Sequence, residues 1–285
     1  MATSAVVILS EAALSLYPIL IKTVPTNLST QLLSRFLVYS GLAYFLATDT
    51  DVLMTWGNVQ GAFRSTLLGC LTLAHVGTSY YAFQQLPAGV AMSLFYSYPI
   101  WNLVGAALGF GESFSVYQIA LVLLGFVGVV LVAYGNKDPD PQKQKDPFNW
   151  KGLLAALLAA LTESAIYFAV RTADRPSPFY AVLELYPSAV LLLLGIVWYT
   201  KGSFDFRPQV WARMLSFNTL IGFLGYCLRF YAIPRLPTLI FSLLSFVGVL
   251  TSFLWGYLFV NEIPSWLALG GGGLISTVAA FSVLK

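Results

Sequence analysis

The chain has 285 residues, of which 58% are apolar and only 9% are charged, and its formal net charge is +3. A soluble domain carries about 25% charged residues, so this composition excludes a water-facing surface and indicates a chain whose solvent is lipid. Only helices and closed barrels satisfy every backbone polar group in lipid, and the apolar stretches are too continuous for barrel strands of about 10 alternating residues. We therefore predict an all-α integral membrane protein in contact with the lipid bilayer. The small net charge gives no reason to expect nucleic acid as a partner.

Ten apolar stretches follow one another along the chain, each close to the length of about 20 residues that spans a bilayer as a helix. The predicted spans lie near residues 4–22, 29–48, 65–86, 88–110, 115–135, 150–171, 178–200, 213–234, 238–260 and 265–284. No basic segment precedes the first stretch, so we predict a transmembrane span there and not a signal peptide. The longest polar stretch, residues 136–149, is predicted to link the two halves.

A sequence repeat relates those halves. Residues 81–87 read YAFQQLP and residues 231–237 read YAIPRLP, and the offset of 150 residues also relates Glu112 to Glu262. Internal repeats with a binding site between them are typical of secondary transporters. Each half holds five predicted spans, an odd number, so the second half must enter the membrane in the opposite sense. We therefore predict ten transmembrane helices arranged as two inverted five-helix repeats.

Glycines interrupt span 5 at Gly125 and Gly128 and span 10 from Gly270 to Gly273. Small residues let helices approach one another closely in lipid. Packing inside the chain is the favoured explanation, and a homodimer through spans 5 and 10 is the alternative. Glu112 and Glu262, which each precede a predicted helix, are expected to stabilise a helix N-terminus and not to bind substrate.

This pattern resembles the drug/metabolite transporter superfamily in its ten-helix form with two EamA-type halves. The residues that carry the resemblance are Tyr81-Ala82 with Leu86-Pro87, Pro99, Gly111-Glu112, Asn261-Glu262, Pro18 with Lys22, and Arg35. The resemblance implies that residues 1–135 and 150–285 are the two EamA-like repeats and that residues 136–149 connect them. It also implies alternating access through a central cavity lined mainly by spans 1, 3, 4, 6, 8 and 9, with no cofactor. The implied location is the plasma (inner) membrane, with an organelle membrane as the alternative.

Four ionisable side chains inside predicted spans fall in the same third of the bilayer, namely Glu11, Glu163, Glu184 and Arg229. An ionisable group in lipid costs a few kcal/mol, so each is a candidate for substrate binding or coupling. At about 1.5 Å of rise per residue, Glu11 lies about 10 Å inside the start of span 1 and Glu163 about 12 Å inside the end of span 6. We predict a polar chamber in which at least one of these two carboxylates takes up a proton. The alternative is structural pairing, such as Glu184 with Arg229, or pairing of Glu11 and Glu163 with Arg229, which would oppose proton uptake near neutral pH.

Two further polar side chains lie within spans. Arg35 in span 2 is interpreted either as a gate cation or, the favoured interpretation, as a side chain that snorkels to the interface. His75 in span 3 is a candidate proton relay, although a hydrogen bond between two helices is the simpler role. One histidine and two distant cysteines give no reason to predict a metal site.

Aromatic residues make up 15% of the chain. Four tyrosines are candidate substrate contacts, namely Tyr81, Tyr96, Tyr98 and Tyr231. An aromatic cavity with few fixed charges suits an amphipathic zwitterion or an aromatic metabolite, with tyrosine hydroxyls setting its orientation.

We therefore predict a secondary transporter of a small organic metabolite, with an amino acid or similar zwitterion favoured. A nucleotide-sugar or sugar-phosphate exchanger is the alternative, with Lys22, Arg171 and Arg229 as its anion partners. Sugar-phosphate members of the superfamily typically carry a Lys-Arg pair late in the chain, and spans 9 and 10 hold neither residue before Lys285. A non-transporting membrane scaffold is the other alternative. An enzyme is not expected, because the chain has no HExxH or GxSxG motif.

Overall fold

The computed structural model of the protein describes residues 2–86, 88–135, 149–175, 177–260 and 265–283. Within those ranges the chain forms helices and no strand. The predicted linker, apart from Asn149, lies outside the described residues, as do Pro87, Asn261, Glu262 and Lys285.

The first half of the chain forms eight helices and the second half forms eight more among the described residues. In the first half they are α1 (Ala2–Leu14), α2 (Tyr17–Thr23), α3 (Leu28–Leu46), α4 (Asp49–Trp56), α5 (Val59–Gln85), α6 (Ala88–Phe95), α7 (Tyr98–Phe110) and α8 (Val116–Gly135). In the second half they are α9 (Trp150–Arg171), α10 (Pro178–Leu185), α11 (Pro187–Tyr199), α12 (Pro208–Phe217), α13 (Leu224–Ala232), α14 (Thr238–Ser245), α15 (Val247–Val260) and α16 (Trp266–Val283).

Four 22-residue segments are long and apolar enough to cross a membrane, namely Ala2–Thr23, Trp150–Arg171, Pro178–Tyr199 and Thr238–Phe259. Val116–Leu131 and Trp266–Phe281 are shorter apolar helices. The surface carries large apolar side chains that are more than four-fifths exposed, such as Leu108, Val116, Trp198 and Trp266. Such a surface is stable only against lipid or another apolar partner. The prediction of an all-α integral membrane protein is confirmed.

Proline divides three of the predicted spans into two helices each. Pro18 and Pro99 occupy the second position of α2 and α7, and Pro187 occupies the first position of α11. Proline has no N–H for the helix ladder and its ring clashes with the carbonyl four residues earlier, so one helix ends and another begins. A tyrosine stands directly before each of these prolines and is buried. The breaks therefore place phenol rings in the interior.

A π-helix, Asn218–Phe223, joins α12 to α13. The side chain of Asn218, the first residue of that segment, is fully buried and bonds Tyr17 and Ser34. π-Helical turns are rare and occur frequently at functional sites. The turn places an amide in the interior beside the α1/α2 break.

Helix α5 begins six residues earlier than predicted span 3, at Val59. The side chain of Asn58 accepts a hydrogen bond from Gly61 N at 2.8 Å and so caps the helix. A short helix, α4, precedes α5, and a capping box between Thr48 and Asp51 caps the N-terminus of α4. The predicted spans end at residue 48 and begin again at residue 65, so the prediction left Arg64 outside span 3.

Helices α8 and α16, which correspond to predicted spans 5 and 10, pack directly against each other. A Cβ atom at Gly128 would lie 2.9 Å from Gly271 O and 2.9 Å from Ile275 Cγ1, and one at Gly125 would lie 2.7 Å from the Phe246 ring. Close packing inside the chain thus accounts for both glycines. The homodimer through these spans stays a prediction.

Replacing Gly128 with alanine is expected to lower the free energy of unfolding by about 1–3 kcal/mol, because the new methyl group meets a backbone carbonyl that cannot move alone. The measurement is denaturant or thermal unfolding in detergent. Gly273→Ala on α16 is the matched control, since a Cβ there meets nothing within 4 Å. Equal stability of the two variants would contradict the packing.

Candidate functional site

Four ionisable side chains from four helices meet inside the protein, and we call them the charge cluster. Arg229 Nη1 lies 3.2 Å from Glu11 Oε1, and Arg229 Nη2 lies 2.7 Å from Glu163 Oε1. His75 Nε2 lies 3.0 Å from the other oxygen of Glu163, Oε2. None of these side chains is more than 3% exposed. Glu11 and His75 belong to the first half of the chain and Glu163 and Arg229 to the second, so the cluster joins the halves.

Two tyrosines beside the break between α6 and α7 donate hydrogen bonds to Glu11. Tyr96 donates to Oε2 at 3.2 Å and Tyr98 donates to Oε1 at 3.4 Å. The Arg229 guanidinium also lies over the Tyr98 ring, 5.0 Å from its centroid. Gly248 of α15 leaves room for the Tyr96 hydroxyl, because a Cβ atom at position 248 would clash with it. Glu11 therefore has one cation and two phenols as partners.

The two nitrogens of His75 both face oxygen atoms that accept hydrogen bonds. Nδ1 lies 3.1 Å from the carbonyl oxygen of Ala159, and Nε2 faces the Glu163 carboxylate. Thr162 Oγ1 lies 3.4 Å from Nδ1 but donates its own hydrogen to Leu158 O at 2.7 Å. A neutral imidazole has one N–H and one acceptor nitrogen. An additional proton, on His75 or on Glu163, would satisfy both contacts.

Such a proton would also balance the charge of these four groups. Two ionised carboxylates and one arginine with a neutral histidine sum to −1, and an unbalanced charge in a low-dielectric interior is costly. One proton in the His75–Glu163 pair would bring the sum of the four groups to zero.

Glu184 lies apart from the cluster. Its Oε1 is 2.7 Å from Arg64 Nε and accepts a hydrogen bond from the Tyr180 hydroxyl at 3.1 Å. The predicted pairing of Glu184 with Arg229 is therefore wrong. The reason is the early start of α5, which brings Arg64 into the layer where Glu184 lies.

Tyr81 and Tyr231 do not join the cluster either. The Tyr81 side chain is half-buried, and the Tyr231 side chain is 40% exposed with the Arg235 guanidinium 3.8 Å from its ring centroid. Neither has a hydrogen bond or ring contact to the residues of the charge cluster. Their predicted contact with substrate stays a prediction that no geometry here supports.

Arg35 does not snorkel, and that favoured interpretation is wrong. The residue is 2% exposed, and its guanidinium carbon lies between 4.5 and 5.7 Å from the centroids of five tyrosine rings. We call these rings the tyrosine cage: Tyr17, Tyr39, Tyr80, Tyr186 and Tyr226. Sequence reasoning missed the cage, although Tyr17 and Tyr186 each precede a proline that divides a span.

Glu112 also differs from the prediction that it stabilises a helix N-terminus. Ser115 accepts the capping hydrogen bond from Gln118 N at the start of α8. Glu112 Oε1 instead lies 2.7 Å from Arg171 Nη2 and accepts a hydrogen bond from Thr238 at 3.2 Å. This ion pair connects the end of α7 to the end of α9 and hence one half of the chain to the other. Glu262 lies outside the described residues.

Residues 150–284 match the EamA-like transporter family. Two relatives, both named "Pseudopaline exporter CntI", come from Pseudomonas aeruginosa strains UCBPP-PA14 and ATCC 15692. Each is 25% identical to this chain, and the matches cover 82% of this chain and 78% of each relative. A protein crystal structure superposes with a TM-score of 0.71 at 18% identity, over 99% of this chain and 96% of its own. That structural likeness shows the fold alone.

The resemblance to the drug/metabolite transporter superfamily is thereby confirmed. The family match and the exporter relatives identify a multi-pass membrane transporter and not an enzyme.

Replacing Arg229 with methionine is expected to lower the free energy of unfolding by about 3–5 kcal/mol, because it leaves buried carboxylates without a counter-charge. Thermal unfolding in detergent measures the change. Arg213→Met removes an exposed arginine and is the matched control. Adding Glu11→Gln and Glu163→Gln to Arg229→Met should restore most of the stability. An unchanged stability of Arg229→Met would show that the ion pairs contribute little.

Proposed function

We propose that the protein is a secondary transporter that moves a small zwitterionic metabolite, such as an amino acid, by alternating access, since residues 150–284 match the EamA-like transporter family. The observation that carries the proposal is the charge cluster, in which groups of both signs lie buried between the halves. The names of the two relatives favour export as the direction. Their bacterial source favours the inner membrane as the location.

The composition of the charge cluster favours a solute with an ammonium group. Two carboxylates share a single arginine, so an incoming ammonium can replace the additional proton and keep the cluster neutral. The hydroxyls of the tyrosines around Glu11 can accept hydrogen bonds from the same solute or donate hydrogen bonds to it. When the zwitterion binds, its ammonium group thus takes the place of the proton as the second positive charge of the cluster.

A sugar phosphate or nucleotide sugar is disfavoured because two of the arginines predicted to bind its phosphate already pair with carboxylates. Arg171 pairs with Glu112, and Arg229 pairs with Glu11 and Glu163. Each of these arginines would have to leave a carboxylate before it could bind a phosphate. A non-transporting scaffold is disfavoured because it has no use for four ionisable groups buried in lipid.

The proposed coupling uses the additional proton of the His75–Glu163 pair. When the proton leaves, the cluster acquires a charge of −1, and either a new proton or the ammonium of a solute restores neutrality. An alternating-access carrier needs such an exchange to make its conformation depend on what it holds. Proton uptake by Glu11 or Glu163 stays a prediction, and the contact of His75 with Glu163 is what supports a role of this pair.

The proposed architecture is ten transmembrane helices in two inverted repeats. A repeated helix break supports this arrangement. The break between α6 and α7 lies at Tyr96-Ser97, and the break between α14 and α15 lies at Phe246, 150 residues after Tyr96. The spans on either side of these breaks meet at the charge cluster, where Tyr96 contacts Glu11 and packs against Gly248. A repeat that contributes one broken helix from each half to a common site is the arrangement found in many carriers.

Purified protein in liposomes should exchange amino acids and should exchange sugar phosphates slowly or not at all. The assay loads a mixed metabolite pool inside the vesicles and follows which solutes appear outside by mass spectrometry. Protein-free vesicles and vesicles holding the Arg229→Met variant are the controls. Rapid exchange of phosphorylated sugars with no exchange of amino acids would favour the alternative substrate class.

Tags at the C-terminus and within residues 136–149 should lie on opposite sides of the membrane. The physical reason is the odd number of spans that the ten-span arrangement places between them. Protease or thiol-reagent accessibility in sealed vesicles of known orientation measures this. A tag inserted near Asp49, which is exposed, should report the same side as the C-terminus. Finding the linker and C-terminal tags on one side would overturn the ten-span arrangement.

Glu163→Gln should retain solute exchange while losing its dependence on pH near neutrality, because the variant has no carboxylate at this position to take up the coupling proton. The neutral amide can donate a hydrogen to His75 and so replaces the additional proton permanently. Glu11→Gln is the comparison within the cluster, and Asp49→Asn is the control outside it. If the Glu11 and Glu163 variants both exchange solutes like the wild type at every pH, the carboxylates are structural and this mechanism is wrong.

A further inference from the structure

Arg35 differs from the other buried or half-buried arginines in having no carboxylate partner. Arg229 pairs with two carboxylates, and Arg64, Arg171 and Arg175 pair with one each. No carboxylate of the described residues lies within ion-pair distance of Arg35, although Arg35 is only 2% exposed. A guanidinium that is always protonated and has no counter-ion is costly to bury. The structure thus holds a buried positive charge with no carboxylate of the described residues in direct contact.

The hydrogen bonds of Arg35 leave part of its donor capacity unused. Nη1 donates to the Tyr80 hydroxyl at 3.3 Å and Nη2 donates to the Tyr186 hydroxyl at 2.9 Å. Nε is buried and has no hydrogen-bond partner. An unsatisfied buried donor is uncommon and calls for an explanation. A guanidinium with free donors on one edge is suited to a planar acceptor with two oxygens.

The tyrosine cage holds Arg35 in place through a network of its own. The hydroxyls of Tyr17 and Tyr39 are 2.8 Å apart, and Tyr17 donates to Asn218 Oδ1 at 2.9 Å. Asn218 Nδ2 donates in turn to Ser34 Oγ at 3.2 Å. Cation–π contact stabilises the guanidinium without using its N–H groups. The cage therefore positions the cation through two hydrogen bonds and five ring contacts while leaving the Nε donor for another molecule.

The cage and the charge cluster are neighbours on α13. Tyr226 contacts Arg35, with its ring centroid 4.5 Å from the guanidinium carbon, and Arg229 pairs with Glu11 and Glu163. Residues three apart in a helix lie on one face, about 4.5 Å apart along the axis. The interior thus presents a cation with no carboxylate in contact, next to a cluster in which two carboxylates share one arginine. A solute that carries a carboxylate and an ammonium group matches this polarity.

We propose that Arg35 is the binding site for the carboxylate of the transported solute, while the ammonium of the same solute lies at Glu11 and Glu163. This inference rests on the proposed transport function and specifies which end of the zwitterion each half of the site binds. The carboxylate accepts two hydrogen bonds from the guanidinium edge that includes Nε. Tyr80 and Tyr186 position the arginine, and Tyr17 and Tyr186 stand at helix breaks that move the cage when the carrier changes conformation.

The test compares solutes that differ only at the carboxylate. Liposomes are loaded with an equimolar mixture of the twenty common amino acids, their amides and the corresponding decarboxylated amines, and initial rates of exchange are measured for every solute. In wild-type protein, amino acids should exchange faster than their amides and amines. In Arg35→Lys, which keeps the charge but loses the two-donor geometry, the ratio of acid rate to amide rate should fall by about tenfold or more.

The ratio of rates separates a binding role from a structural one. A variant that is merely unstable lowers the acid and amide rates together and leaves the ratio unchanged, and that outcome would overturn the assignment of Arg35. Tyr80→Phe and Tyr186→Phe provide gentler variants if Arg35→Lys fails to fold. They should lower the same ratio by a smaller factor, because they free the guanidinium to rotate. Arg213→Lys is the matched control and should exchange every solute as the wild type does.

The failure of the proposed function is a different result. If wild-type protein exchanges none of these solutes, the proposal of a zwitterion transporter fails, and the role of Arg35 fails with it. If wild-type protein exchanges amines and amides as fast as amino acids, transport stands and only the carboxylate site at Arg35 is overturned.

Discussion

The single guanidinium of Arg229 holds the interior of this protein together, because two carboxylates from different halves of the chain depend on it. Removed from water, Glu11 and Glu163 would repel each other and separate α1 from α9. With Arg229 between them, the same charges attract α13 to both helices. The remaining polar contacts follow from this arrangement: Tyr96 and Tyr98 satisfy Glu11, and His75 satisfies the second oxygen of Glu163.

The protein therefore buries two neighbouring arginines, Arg229 and Arg35, in two different ways. Arg229 is neutralised by carboxylates, whereas Arg35 is surrounded by phenol rings that lower the cost of burial without neutralising it. Pairing with two carboxylates leaves the Arg229 guanidinium little to gain from an incoming anion. Cation–π contact leaves the Arg35 guanidinium able to bind one. The two sites therefore differ in whether their arginine can still bind the carboxylate of a solute.

Sequence reasoning placed Glu11, Glu163 and Arg229 at one depth because helical rise converts a residue number into a distance along the bilayer normal. It failed for Glu184 because α5 begins earlier than hydropathy indicates, and Arg64 enters the membrane layer with it. It also failed for Arg35. Depth alone does not say which face of a helix points inward, and the cage requires five tyrosines from separate helices to converge. The prolines after Tyr17 and Tyr186 were the available signal, since a broken helix inside a membrane exposes its neighbours to the interior.

The ion pair between Glu112 and Arg171 has a consequence for how the halves separate. At one end of α9 the halves are joined by this pair, whose side chains are 27% and 24% exposed. At the other end they are joined by the uncharged amides of Asn149 and Gln85, 3.3 Å apart. Dissolved ions screen the first contact and hardly affect the second. Under the proposed alternating access, ionic strength on the face that carries Glu112 and Arg171 would ease opening toward that face alone, so the salt around the protein would bias its orientation before any solute binds.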